Sequence, residues 1–456
     1  MSARFEGHEV RRALGLPHSP DRVRFDSVST DTRDLRKGAL FVALAGDRFD
    51  GFEYLDRAAR KGALGAIVPE GRPLPALDLE WFPVPDTTRA LGDLARAYRR
   101  RCGARVIGVT GSSGKTTVKE MLAGAIGSER RVHATEGNFN NLIGVPLTAL
   151  AAPPDAEFWV LEMGSNAPGE IARLAAIAEP DDALVTTIGP AHLEGFGDES
   201  GVLREKLALV RAARPAGSVI IGEKPTRLGR SVREIRADAR VAGLGDDADW
   251  RPDRWGIEAM NAWFEREGTR YAVPAGGEHH LRDAILAAAM ADSVGISAYG
   301  VAEGLAEYRP VGMRGAVRQV GGLTIVADCY NANPESFAAA IDFCVRAFPG
   351  RQLTAVVGSM LELGSHSETA HDQVARSLIE AGFARILALG EFAPAFDRLT
   401  TTPNADRVRQ PGSPSSAVEV LESELSGDEV VLVKASRGER LERVVEGLEA
   451  SFGEGS

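Results

Sequence analysis

Cysteine is scarce in this chain: three in 456 residues, at Cys102, Cys329 and Cys344. The number is odd and none of them stands in C-x-x-C spacing. That argues against a disulfide framework or a zinc knuckle and suits a reducing compartment. No apolar run approaches the roughly 18 residues that a membrane-crossing helix needs. Residues 1–16, MSARFEGHEVRRALGL, hold no apolar segment of the secretory type, so no signal peptide is expected. Excess positive charge is missing too, the net charge being -11, and nothing global invites nucleic acid or an anionic membrane. There is no internal repeat of fixed period. The expectation is a cytoplasmic protein.

What is present is an α/β rhythm. The chain is 44% hydrophobic and 26% charged, and too long for one ordinary core, so two to four domains are expected. Residues 38–46 and 64–70 read as strands and 51–63 as a helix. A Pro-rich stretch, 72–86, reads as a connection, and a helix follows over 87–101. From 105 the pattern is strand then helix, repeated: 105–110, 158–164, 182–187 and 217–222 are strands, with helices from Lys115, near 168–178 and near 200–213. That alternation predicts a mostly parallel sheet with helices on both faces. Residues 223–278 lose the rhythm and read as a β-rich insertion, and a helix returns over 281–296. A second doubly wound unit begins near 315, with strands at 323–329, 353–359, 384–390 and 428–436. The stretch 404–417 reads as a loop. The expected domains are 1–101, 102–313 and 314–456.

One stretch invites a nucleotide. VTGSSGKTT (109–117) joins an apolar strand to a helix, yet the strict G-x-x-x-x-G-K-[ST] pattern fails because Val109 stands where its first glycine belongs. At such a junction the backbone N–H groups and the helix N-terminus face an anion. Gly111 and Gly114 allow close approach, Lys115 reaches outer phosphates and the Thr116 hydroxyl faces Mg²⁺.

In a parallel sheet, ligands collect beyond the carboxyl ends of the strands. Glu162 ends FWVLEMG, and His192 follows the next strand in GPAHLEGFG. A carboxylate and an imidazole there are candidate Mg²⁺ ligands. Lys206 interrupts the apolar stripe of its own helix, and spacing alone favours a snorkelling lysine. The asparagines of GNFNNLIGVP (137–146) can bind phosphate or sugar, or shape turns; residue type alone favours turns.

Taken together, these pieces resemble the Mur ligase family. The match runs through TGSSGKTT, GNFNNLIGVP, LEMG, GPAHLEGFG and the Lys206 segment. It continues through MRG (313–315), DCYNANPES (328–336), GSMLELG (358–364) and LVKASR (432–437). The family's shortened TGxxGKT[ST] loop accounts for Val109. The YNANP form, together with STDTRDLRKGALFVALAGDRFDGFEYLDRAARKGA (29–63), resembles the branch that joins D-alanyl-D-alanine to UDP-N-acetylmuramoyl-tripeptide. The DNPR-type motif expected of the branch adding the third residue is missing.

The resemblance implies three α/β domains: a small N-terminal UDP-substrate domain, a central P-loop-type domain with a β insertion, and a Rossmann-like C-terminal domain. It implies ATP and two Mg²⁺. Thr110, Gly111, Ser112, Ser113, Gly114, Lys115, Thr116, Thr117 and His280 would meet ATP, joined by Arg314, Asp328, Tyr330 and Asn331 from the C-terminal domain. Thr116 and Glu162 would serve one Mg²⁺; His192 and a carbamylated Lys206 would serve a second. Ser29, Asp31, Thr32, Arg33 and Asp50, with Asn138, Asn140 and Asn141, would bind the UDP substrate. The catalytic set is Lys115, Lys206, His192 and Glu162.

There are departures. His280 and Asp283 stand where the family has asparagines, Ser359 stands for Asp, and Ala435 stands for Gly. Three other readings stay open at this point: a Mur-type ligase with a different amino-acid substrate, a P-loop ATPase, and a degenerate binding protein.

Overall fold

The structure is a computed structural model that describes residues 3–19, 23–46, 49–189, 193–258, 260–399 and 405–453. Three larger sheets carry it. The first has four parallel strands in chain order, Ser27–Ser29, Ala39–Val42, Gly65–Pro69 and Glu80–Val84. The last of these lies inside the Pro-rich stretch read as a connection. Pro83 cannot donate to a ladder, and the strand escapes the conflict by lying at the sheet edge with Pro83 exposed.

Helix Thr87–Arg101 follows, capped by the Asp86 carboxylate, which accepts from the N–H groups of Thr88 and Arg89. It packs on the second sheet's layer. Tyr98 donates to the Ala152 carbonyl (2.8 Å) and stacks on Trp159, with ring centroids 6.2 Å apart. One buried cluster therefore runs from Phe5 and Phe25 through Leu94 to Trp159 and Val185.

The second sheet has six parallel strands in the order 132–134, 158–162, 105–110, 182–185, 219–222 and 240–242. The segment 223–278 is only partly the β-rich insertion expected. It begins with helix Arg227–Arg233 and strand Arg240–Ala242, which extend this sheet, and only then forms an antiparallel three-stranded sheet over 254–273.

The third sheet runs 316–320, 323–328, 430–434, 353–357, 385–388 and 408–409, and only its first pair is antiparallel. The loop expected over 404–417 already contains the start of helix Pro414–Glu424. Ser413 caps it, accepting from the Ser416 N–H, with Pro at the first position.

Candidate active site

The strand Arg105–Thr110 lies inside the second sheet, and Val109 pairs with Glu162 on one side and Leu184 on the other. Val109 is fully buried, so it is still a strand residue, and the turn starts only at Gly111. Gly111 is obligatory: a Cβ there would lie 2.0 Å from Thr186 Oγ1. Gly114 has φ +79°, and its Cβ would lie 2.4 Å from Asp283 Oδ1. Helix Lys115–Gly127 begins directly after it.

This loop opens into a cavity of about 850 Å³ lined from the second and third sheets. Ser112, Ser113, Gly114, Lys115, Thr116 and Thr117 line it, whereas Thr110 and Gly111 do not. The Thr110 hydroxyl donates to the Met163 carbonyl (2.7 Å) and ties two strands together. Lys115 Nζ curls back onto the carbonyls of Gly111 (2.8 Å) and Ser112 (3.0 Å). Burial lowers its pKa, against the attraction of Glu162.

Glu162 is 1% exposed and lines the same cavity. Its Oε1 accepts from Asn140 Nδ2 at 2.8 Å, while its buried Oε2 has no hydrogen-bond partner among the described residues. The Glu162 oxygen left unpartnered among the described residues and the Thr116 hydroxyl belong to residues that line one cavity, an oxygen-donor set that fits Mg²⁺.

Lys206 does not snorkel. It is 1% exposed, and its Nζ donates to Ser165 Oγ at 2.9 Å. The loop after strand 158–162 supplies that polar partner, so the amine has no need to reach water. Burial first, then the nearby Lys115 charge, lower its pKa to about 7, against the pull of Glu205, Glu170 and Glu162. His192 lies outside the described residues.

The third sheet contributes the opposite wall. Arg314 stacks on the Tyr330 ring at 3.8 Å, and Arg437 donates to the Tyr330 hydroxyl at 3.2 Å. Asp328 pairs with Lys434, which is fully buried, and Asn331 also lines the cavity. His280 holds the Gly276 carbonyl through Nδ1 (2.7 Å) and is buried, which lowers its pKa. Asp283 lines the cavity too; burial, then Glu335, raise its pKa well above the carboxylate range.

Of the substrate asparagines, Asn138, Asn140 and Asn141 do line the cavity. Asn140 orients Glu162, and Asn141 Oδ1 accepts from the N–H groups of Ile143 and Gly144, holding the turn into helix Gly144–Ala151. The other substrate residues are elsewhere. Ser29 ends the first strand of the first sheet and Asp31, Thr32 and Arg33 follow it, Asp50 lies in a separate two-stranded antiparallel sheet with Ala45–Gly46, and none of the five lines this cavity. Arg33 and Asp31 form a two-point ion pair (2.6 Å at the shorter contact), and Asp50 pairs with Arg72, whose guanidinium covers the Phe52 ring at 3.9 Å.

Sequence reasoning missed Asn333, Lys434 and Ser165. Asn333 caps helix Pro334–Ala347, and its Nδ2 reaches Ser113 Oγ at 3.1 Å. The Asn-Pro pair signalled a cap but not the second contact. Lys434 ends an apolar strand, the same signal that exposed Glu162. Nothing in the sequence singled out Ser165. Among the departures, Ser359 Oγ accepts from the Glu391 N–H at 3.0 Å, and Ala435 is fully buried.

Comparison with known proteins agrees with this architecture. Three family models match: Mur ligase family, catalytic domain, over residues 24–99; Mur ligase middle domain over 109–291; and Mur ligase, glutamate ligase domain, over 313–437. The UDP-N-acetylmuramoyl-tripeptide--D-alanyl-D-alanine ligase of Bacillus subtilis is 34% identical over 444 residues, covering 96% of each chain. Its Escherichia coli counterpart is 34% identical, covering 94% of each. Among solved structures, MurF from Acinetobacter baumannii superposes with a TM-score of 0.88 at 28% identity, covering 98% of this chain and 99% of that one. MurF from Thermotoga maritima in complex with ADP gives 0.81 at 30% identity, covering 94% and 98%. The chain belongs to the Mur ligase family.

Proposed function

We infer that the chain is an ATP-dependent amide ligase that joins D-alanyl-D-alanine to the terminal carboxylate of UDP-N-acetylmuramoyl-tripeptide. The single observation that carries this is the geometry around Glu162. A buried carboxylate oxygen without a partner among the described residues shares one cavity with a phosphate loop, its lysine and the third sheet. Similarity to ligases of that name along nearly the whole chain names the two substrates.

The reaction runs in two steps. A carboxylate oxygen of the tripeptide attacks the γ-phosphorus of ATP, the bond to the bridging oxygen breaks, and ADP leaves. The amine of D-alanyl-D-alanine then attacks the acyl carbon, phosphate departs, and the nitrogen gives up a proton. No protein nucleophile is needed; positioning and charge neutralisation dominate such transfers. The loop N–H groups and Lys115 neutralise and orient the phosphates. Thr116 and Glu162 would hold Mg²⁺, which would supply further neutralisation there. Arg314, Tyr330 and Asn331 close on the nucleotide from the C-terminal side.

The finer assignments belong to the same proposal. Lys206 is buried, which with the Lys115 charge lowers its pKa to about 7, and it is suited to combine with carbon dioxide: the ammonium first gives up a proton, the neutral nitrogen bonds to the carbon, a second proton is released, and an anion stands where the ammonium was. With His192 that carbamate would hold a second Mg²⁺. Ser29, Asp31, Thr32, Arg33 and Asp50 bind the UDP end at the first sheet, in a domain ending near residue 101; the other two domains meet near 313. A soluble nucleotide-linked substrate and ATP put the reaction in the cytoplasm; no helix among the described residues is long and apolar enough to cross a membrane. Phosphate release separates the readings. The ligase needs ATP, UDP-tripeptide and D-alanyl-D-alanine together, whereas an ATPase releases phosphate from ATP alone. Running the assay with the lysine and the diaminopimelate forms of the tripeptide identifies its third residue.

A further inference from the structure

Lys119 has no role in the scheme above, yet it is a buried ammonium beside the site. It is 1% exposed and sits four residues after Lys115 on helix Lys115–Gly127. Four residues are about one turn, so the two lysines leave the same side of the helix. Lys115 turns back onto its own loop. Lys119 crosses to the end of strand Val132–Ala134, where its Nζ donates to the Thr135 carbonyl at 2.7 Å, with the Glu120 carboxylate as counter-ion.

A buried charge is costly, and an apolar side chain of the same length would fill the space without that cost. The partner explains why a charge is useful at this point. Thr135 is also 1% exposed, and its Oγ1 accepts from the Glu162 N–H at 2.9 Å. Its own N–H donates to the Val160 carbonyl at 3.0 Å. Glu162 in turn holds Asn140 on one oxygen and leaves the other unpartnered among the described residues. An unbroken series of contacts thus joins the helix bearing Thr116 to the carboxylate at the strand end.

We propose that Lys119 is a positioning residue for the divalent cation. By holding Thr135 it fixes the separation between the Thr116 hydroxyl and the Glu162 carboxylate. This rests on the reading of Thr116 and Glu162 as the cation's ligands. Groups that orient metal ligands typically contribute on the order of 10- to 100-fold in affinity.

The test is Mn²⁺ binding to the full-length chain saturated with ADP, followed by electron paramagnetic resonance, for wild type, Lys119→Met, Thr135→Val and Glu162→Gln. Lys119→Met should weaken Mn²⁺ by about 10-fold while metal-free ADP binding stays within about 2-fold of wild type, as expected if only the cation's seat is disturbed. Thr135→Val, which keeps the strand and deletes the hydroxyl, should show the same split, and it carries the test if Lys119→Met does not fold. Wild-type Mn²⁺ affinity in the folded Lys119 variant, or in Thr135→Val, overturns the inference. So does equal loosening of ADP without metal, which marks a merely structural lysine. If Glu162→Gln binds Mn²⁺ like wild type, the ligand assignment itself is wrong and the inference falls with it. If Glu162→Gln alone is weakened, only the role of Lys119 is overturned.

Discussion

Asn333 Nδ2 donates to Ser113 Oγ across 3.1 Å, so a helix cap of the third sheet's layer touches the phosphate loop of the second. The same side chain accepts from the Ser336 N–H, and the two residues form a capping box. The contact between the two layers and the start of a helix therefore share one amide.

Asn333→Ser separates those two duties. Serine caps a helix about as well as asparagine, so the folding temperature should hold. The reach to Ser113 is lost, so the C-terminal unit should sit further open. Small-angle scattering of the ATP complex should give a larger radius of gyration than wild type. An identical scattering curve would show that this contact does not govern closure.

Lys115→Met tests the phosphate loop. The ammonium rests on two loop carbonyls, acceptors that phosphate oxygens can replace. Removing a preorganised charge of this kind costs roughly 100- to 1000-fold in turnover. Wild-type turnover in this variant would refute the assignment of the loop.

Lys206→Ala removes the buried amine. Turnover should fall by on the order of 100-fold, and formate or acetate in the assay should restore part of it by putting a carboxylate where the proposed carbamate would stand. Full activity without rescue contradicts the carbamate.

Asp283 supplies a pH prediction about stability. Burial, and then Glu335, keep its carboxyl protonated in the fold at pH values where the unfolded chain has released the proton. The folded state therefore binds more protons, and this group's contribution to stability is complete below about pH 4 and is lost as pH rises from there toward the folded pKa. Asp283→Asn removes the titration. Thermal melts should show the variant matching wild type near pH 4 and exceeding it near pH 8 by roughly 2–4 °C per kcal/mol recovered. A gap independent of pH would mean that Asp283 is ionised in the fold.

The central sheet was the most legible part of the sequence. Strand 105–110 and the start of its helix at Lys115 were readable residue by residue, because an apolar run, two glycines and a lysine each mark a different local requirement. Glu162 was legible for a related reason: a charge closing an apolar strand has to face a cavity or a partner. Spacing alone misread Lys206 as snorkelling because helix periodicity reports which face is apolar and not whether a polar group waits inside. Ser165, on a loop after a different strand, decides that question. Strand Glu80–Val84 was hidden by Pro83 and the prolines flanking it, which local rules treat as breakers, and a sheet edge tolerates the one inside the strand. Asn333 could not be read as a clasp, since its partner lies 220 positions away.

Phosphate release measured with ATP, UDP-N-acetylmuramoyl-tripeptide and D-alanyl-D-alanine, singly and in every combination, tests the central claim most directly. The account predicts sustained release only when all three are present, with one amide bond formed for each phosphate. Release from ATP alone, or release with no amide product, would contradict it.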